Sequence, residues 1–290
     1  LSLHDALPIS IQALGPDRAE LDAEALWQVT GTVLRQATAA LPDARAVRSI
    51  GVASIGEAGV LVGGDGQPLA PIIAWYDTRT QGELEWLLSS IGFERLHRLT
   101  GLCADPTFSL PKLMWQQRHL PEAYKAARHW LNVGDYLAWR LCGELATDLS
   151  LASRTLLLDL QQQVWASSLL DATGIRPSLL PPILASGTLL GQLLPDVAAA
   201  TGLPPDCVVG IGGHDHVCGL LAAGADRPGV LLDSLGTAEA LSLVVEAPVT
   251  DAALGWDGFN QGVIKVDRPL YYVFGGLPTA AAAVEWFRSL

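Results

Sequence analysis

The chain has 290 residues, half of them hydrophobic and 17% charged, a balance that excludes a disordered protein and leaves room for about two domains of globular core. Its formal net charge of -12 argues against a nucleic-acid backbone as partner, which needs a basic face, but not against a small anionic ligand held by backbone N–H groups. Cys103, Cys142, Cys207 and Cys218 are widely spaced with no Cys-x-x-Cys pair, which disfavours a disulfide framework or zinc site and fits a reducing cytoplasm, and no apolar run reaches the ~18 residues of a membrane span.

Residues 1–10 carry no basic n-region or cleavage site and do not read as a signal peptide. They lack an initiator Met, so the chain is expected to begin partway through a gene or with residues foreign to it. From Asp22 to Leu41, Leu26, Val29, Val33 and Leu34 recur at helical spacing, with Asp22 as N-cap. Ser49–Ser54 reads as a short buried strand. Val60–Val62 and Ile72–Trp75 flank the turn-rich Gly63-Gly64-Asp65-Gly66-Gln67-Pro68 and predict a hairpin. A helix is expected over Thr78–Ile91, then mostly helical pieces over 110–175 with Trp115, Trp130, Trp139 and Trp165 on apolar faces. A Pro-rich extended stretch follows over 179–195, and a short helix over 196–202. Cys207–Ile211 reads as a strand buried on both faces. It runs into Gly212-Gly213-His214-Asp215-His216 and a small-residue helix, Val217–Gly224. A polar break, Asp226-Arg227-Pro228-Gly229, suggests a domain boundary, giving units of 1–225 and 226–290. Val230–Asp233 and Ala240–Val245 then form a second hairpin around Ser234-Leu235-Gly236-Thr237. Mixed helices and strands predict an α/β protein.

Three places could carry chemistry. Asp215 stands just past the end of a strand, where α/β folds place ligands, and could accept a proton from a substrate hydroxyl. It could equally cap the following helix, and both readings stay open on the residues alone. A metal site at His214, Asp215 and His216 is disfavoured, because adjacent side chains point apart and no third ligand cluster is near. The turn Ser234–Thr237 offers consecutive N–H groups that could bind an anion, against the simpler reading of an ordinary hairpin turn. Around the first hairpin, Glu57, Asp77 and Arg79 could bind sugar hydroxyls with Trp75 against a ring face. Taken singly, each of these is better read as structural. No P-loop motif and no Gly-x-Gly-x-x-Gly after a strand is present.

Taken in order, several segments resemble the FGGY carbohydrate kinases. They are Trp75-Tyr76-Asp77-Thr78-Arg79-Thr80; Asp105 to Trp115, with Lys112-Leu113-Met114-Trp115; Asp135-Tyr136-Leu137 with Leu141-Cys142-Gly143-Glu144 and Thr147-Asp148-Leu149-Ser150; Gly212-Gly213-His214-Asp215; and Ser234-Leu235-Gly236-Thr237. The resemblance covers the chain from about Asp22. It implies the actin-like, ribonuclease-H-like sugar kinase fold, with the second lobe cut short. It also implies transfer of the γ-phosphate of Mg2+-bound ATP to a sugar, sugar acid or polyol hydroxyl. Asp215 would be the general base. Glu57, Trp75, Asp77, Thr107 and His214 would line the sugar site, and Ser234, Gly236 and Thr237 would face the ATP phosphates. No protein metal site, nucleic acid or membrane is expected, and a homodimer stays open. Relatives that act on glycerol carry Arg where Gly56 stands, and those that act on xylulose carry Met-His where Glu57-Ala58 stands, so neither substrate is indicated. Nothing before Asp22 matches the family's first phosphate turn, and the chain stops soon after Gly275-Gly276. On this reading the 290 residues are a fragment with little activity of their own and an uncovered apolar surface near residues 270–290. The rival reading is a non-catalytic sugar-binding or regulatory protein on the same fold.

Overall fold

The computed structural model describes residues 11–235, 239–277 and 286–288. Asp22 caps the first helix, Ala23–Ala39, through its Oδ1, which accepts from Ala25 N at 2.8 Å. Ahead of it, Ile11–Gly15 and Arg18–Leu21 form a hairpin, a pair not anticipated from sequence. A three-stranded sheet runs in the order Leu189–Gln192, Val208–His214, Ser49–Ser54. Val208–His214 runs parallel to Ser49–Ser54 and leads directly into the helix Asp215–Ala222. That helix begins two residues earlier than Val217.

The pairing departs from expectation at three points. Val60–Val62 and Ile72–Trp75 are not the two arms of one hairpin. The strand Gly59–Gly63 pairs with Ala127–Asn132, and Ile72–Ile73 pairs with Arg18–Leu21. Pro68 and Pro71 explain the divergence: neither can donate to a ladder, and beyond the single bridge from Val62 to Pro68 the chain turns away. The strand Ala127–Asn132 itself interrupts the region expected to be mostly helical. Ser49–Ser54 is not buried. It is the edge of its sheet, and its residues alternate between exposed and half-buried. Nor is Val208–His214 buried on both faces: Val209, Ile211 and Gly213 are buried while Val208, Gly210 and Gly212 are half-buried.

Three apolar clusters fill the body of the molecule. One gathers Leu61, Phe108, Leu113, Trp130 and Leu157. A second holds Leu26, Val60, Ile72, Leu131 and Tyr136, and a third packs Leu141, Val197 and Leu203 on Val209. After residue 230 the chain builds a separate antiparallel sheet in the order Leu231–Leu235, Glu239–Val245, Pro269–Leu277, Asn260–Lys265. It meets the rest through hydrogen bonds such as Val263 N to Ser153 Oγ and Gln261 N to Gly101 O. Among the described residues no helix is long and apolar enough to cross a membrane.

Candidate active site

Where Val208–His214 ends, Ile55, Gly56, Glu57, Trp75, Arg154, His214, Asp215, His216 and Phe274 line an open cleft of about 300 Å³. Asp215 is the first residue of its helix, not the cap. The cap position belongs to His214, which makes no side-chain cap bond. The Asp215 side chain stays 44% exposed, and its Oδ1 accepts from His216 N at 2.7 Å. Its other oxygen, Oδ2, has no hydrogen bond among the described residues, and the residue lines a cleft with room for a small molecule.

His214 is buried beside it, with Nε2 3.6 Å from Asp215 Oδ1. Burial first, and then the charge of Arg154, push the His214 pKa down to about 3. The ring is therefore neutral at pH 7, and its Nδ1 has no partner among the described residues.

The opposite wall is an ion pair. Glu57 Oε1 accepts from Arg154 Nε at 2.5 Å and also from Nη2. Both residues are buried. The guanidinium carbon lies 5.3 and 5.2 Å from the ring centres of Phe108 and Phe274, contacts that suit a planar cation. Gly56 makes this arrangement possible, since a Cβ there would stand 2.9 Å from Arg154 Cβ and 3.0 Å from His214 Cδ2. Arg154 was not anticipated from the sequence. It lies 97 positions from Glu57, and only tertiary packing brings the two together.

Lys112, quoted above only as part of a motif, is the brace behind this wall. Its ammonium donates to Glu57 O at 2.9 Å, Ala74 O at 2.8 Å and Trp75 O at 3.2 Å. All three N–H groups are thereby used, and the loops carrying Glu57 and Trp75 are held together. Burial pushes its pKa down to about 7, against the pull of Glu57, Asp77 and Asp105. Trp75 presents its ring to the cleft at 47% exposure, an apolar plate of the kind on which a sugar ring can rest.

Of the residues expected at the sugar site, the structure brings Glu57, Trp75, His214 and Asp215 together around one cleft. Asp77 and Thr107 are not among its lining residues. Asp77 is buried, is forked by Arg79 with Nη2 at 2.7 Å from Oδ2, and accepts from Ala19 N at 2.8 Å. These bonds hold its carboxyl below the usual carboxylate range despite the opposing effect of burial, the largest single influence. Thr107 N donates to Asp105 Oδ1 at 2.8 Å within its own loop. Ser234 sits inside the strand Leu231–Leu235, paired with Ala240. Gly236 and Thr237 lie outside the described residues. Among the described residues no group of three His, Cys, Asp or Glu side chains could hold a metal ion.

The cleft lies at the carboxyl end of a parallel strand, where α/β folds place ligands, and the chain has the actin-like sugar kinase fold. Comparison with known proteins agrees. Residues 3–222 match the FGGY family of carbohydrate kinases, N-terminal domain, and the chain belongs to that family. It is similar to a xylulose kinase of Klebsiella pneumoniae, 30% identical over 94% of this chain and 55% of that protein. It is also similar to an L-fuculokinase of Escherichia coli K12, 32% identical over 92% and 56%. Among solved structures, the xylulose kinase from Rhodospirillum rubrum superposes with a TM-score of 0.87 at 26% identity, covering 97% of this chain and 56% of that one. A glycerol kinase of Plasmodium falciparum shares the fold with a TM-score of 0.85 at 21% identity, over 97% and 57%. The chain thus spans about half the length of the curated relatives it matches.

Proposed function

We propose that the whole protein transfers the γ-phosphoryl group of ATP to a hydroxyl of a neutral sugar, sugar acid or polyol, with Asp215 as general base. One observation carries this: a half-exposed carboxylate with an unclaimed oxygen lines a cleft whose opposite wall pairs Glu57 with Arg154. In this reading the sugar lies between Trp75 and His214. Glu57 and Arg154 offer one acceptor and one donor surface to its hydroxyls, and Lys112 keeps the Glu57 and Trp75 loops from spreading. The hydroxyl to be phosphorylated donates to Asp215 Oδ2. Asp215 takes that proton as the oxygen attacks phosphorus, and a loose phosphoryl-transfer transition state leaves alignment as the main task of the protein. His214, being neutral, adds no positive charge to compete for the carboxylate.

Residues 1–225 would form the sugar lobe and 226–290 the start of the nucleotide lobe. Ser234, Gly236 and Thr237 are assigned to the phosphates on this reading. Mg2+ would be carried mainly by the ATP phosphate oxygens, since the ion takes oxygen ligands and keeps several waters, which leaves Asp215 Oδ2 to the substrate hydroxyl. When bound, the ion would neutralise charge on the phosphates.

The test is ADP release by the whole protein with ATP and Mg2+ over xylulose, fuculose, gluconate, glycerol and related sugars. Asp215→Asn should lower kcat by about 10²- to 10⁴-fold while sugar affinity measured by calorimetry holds. Near-normal kcat in that variant would remove Asp215 as base. Sugar binding with no turnover of any kind would favour the non-catalytic reading.

A further inference from the structure

Behind the Asp215 strand lies a buried polar cluster whose own side chains do not line the cleft and which meets it only through the His214 backbone. Its hub is Asp148, at the end of the short strand Thr147–Asp148. The side chains of Asp148 and Ser150 are wholly buried. Asp148 Oδ2 accepts from Ser150 Oγ at 2.7 Å, Ser150 N at 3.1 Å and Ser186 Oγ at 2.5 Å. Its Oδ1 accepts from Leu151 N at 2.9 Å. Ser150 Oγ, with its own proton committed to Asp148, accepts in turn from His214 N at 2.9 Å. His214 is the last residue of the strand, and the next residue is Asp215.

Direction matters in this relay. A hydroxyl has one proton and two lone pairs. Asp148 claims the proton, so Ser150 can meet the His214 N–H only as an acceptor. Asp148 can play that part only as a carboxylate, because both of its oxygens already accept from backbone N–H groups. An amide in its place would set an NH2 against Ser150 N in one orientation and against Leu151 N in the other. Gly213 completes the fit: a Cβ there would lie 2.7 Å from Ser150 Oγ and 3.2 Å from Asp148 Oδ2. Burial pushes the Asp148 carboxyl above its usual range, and the Ser186, Leu151 and Ser150 donors oppose that push.

We propose that Asp148 and Ser150 are positioning residues for Asp215, holding through His214 N the peptide from which the carboxylate departs. This rests on the kinase reading above. Misplacing a reacting group by about 1 Å can cost on the order of 10²-fold in rate, and this relay is the polar anchor on the residue next to the base. Ser153 supplies the control. It lies just past the same helix turn, is equally buried, and its Oγ accepts from Val263 N at 3.0 Å. Removing either hydroxyl strands one buried N–H, but only Ser150 bears on the Asp215 strand.

In the whole protein, Ser150→Ala should lower kcat about 10- to 100-fold with sugar KM changed less than about threefold, because no sugar-lining side chain is altered. Ser153→Ala should lose comparable thermal stability yet keep kcat within about twofold. Equal loss of kcat in the two variants, or wild-type kcat in Ser150→Ala, overturns the proposal. Should Ser150→Ala not fold, Asp148→Asn decides: a folded variant with wild-type kcat also overturns it. An inactive Asp215→Asn beside a fully active Ser150→Ala would sink this proposal alone. An active Asp215→Asn, or a whole protein that phosphorylates no sugar, would sink the base assignment and this proposal with it.

Discussion

Glu57 has φ of 60°, a left-handed backbone adopted by only two other non-glycine residues among those described, Leu156 and Gln163. Such a conformation costs on the order of 1–3 kcal/mol and persists where surrounding bonds over-determine it. Here the Lys112 ammonium holds the Glu57 carbonyl and Arg154 holds its carboxylate, so the strain falls at a residue that lines the cleft. A second buried carboxylate makes a titration prediction. Burial raises the Asp135 pKa to about 8, against the hydrogen bond from Asn132 Nδ2 at 2.8 Å. The folded protein therefore keeps this proton up to about pH 8, whereas the unfolded chain releases it near pH ~3.9. Between those values the unfolded state binds fewer protons, so this residue makes stability fall as pH rises. Urea midpoints of Asp135→Asn and the parent should converge near pH 4 and separate in favour of the variant toward pH 8; a pH-independent difference would refute the assignment. At this scale the sequence was only partly legible. Asp215 and Glu57 stand in short motifs beside glycines, but Arg154 and the inward turn of Asp77 are decided by partners distant in the chain.

The strand Val208–His214 shows how an element carries the site. Its register with Ser49–Ser54 shifts between Gly210 and Gly213: Gly210 pairs with Gly51 and Gly213 with Ala53, so Ile211 and Gly212 together face Val52. This is a bulge, a feature common beside active sites. Gly212 is the residue that permits it, since a Cβ there would stand 1.8 Å from Val52 O. Gly212→Ala should cost more than about 4 kcal/mol, the range reserved for breakage of a buried backbone arrangement. Circular dichroism and urea titration would check it, and a loss below about 1 kcal/mol would contradict the geometry. The sequence made the strand, the glycine pair and the helix readable, because apolar periodicity and small residues are local signals. The bulge was not readable, and neither was the pairing of Ile72–Ile73 with Arg18–Leu21, because both depend on which neighbour arrives.

Among the described residues, the second sheet is packed on one side and open on the other. Leu220, Ala225 and Val244 pack together beneath it. On the other side Leu231, Leu235 and Leu243 are 56, 63 and 36% exposed. Leu231 and Leu235 share a face by strand alternation, and Leu243 lies opposite Leu231 in the register. Asp233 stands between Leu231 and Leu235 on that face and Glu239 lies opposite Leu235, so two carboxylates interrupt the strip; three exposed leucines so placed still favour association. The 290-residue chain should bind a hydrophobic dye and self-associate in sedimentation, and Leu235→Lys should reduce both without altering its circular dichroism. A monomer that ignores the dye would show that this face is covered. The resemblance led to an expectation of uncovered apolar surface near residues 270–290, and the exposed surface found, at Leu231, Leu235 and Leu243, lies earlier in the chain. Its position on the sheet's outer face came only from the register.

The extra residue in the Val208–His214 strand also sets a parity. Successive side chains in a strand alternate sides, and a shift of one exchanges them. An in-frame loss of Gly212 would relieve the bulge and leave a better-matched pair of strands. The residues beyond it would then either keep their partners with the strand drawn one residue shorter or slip by one and exchange faces, and either change moves the start of the Asp215 helix relative to Glu57 and Arg154. Chain length at this point is therefore as much a part of the site as the carboxylate itself.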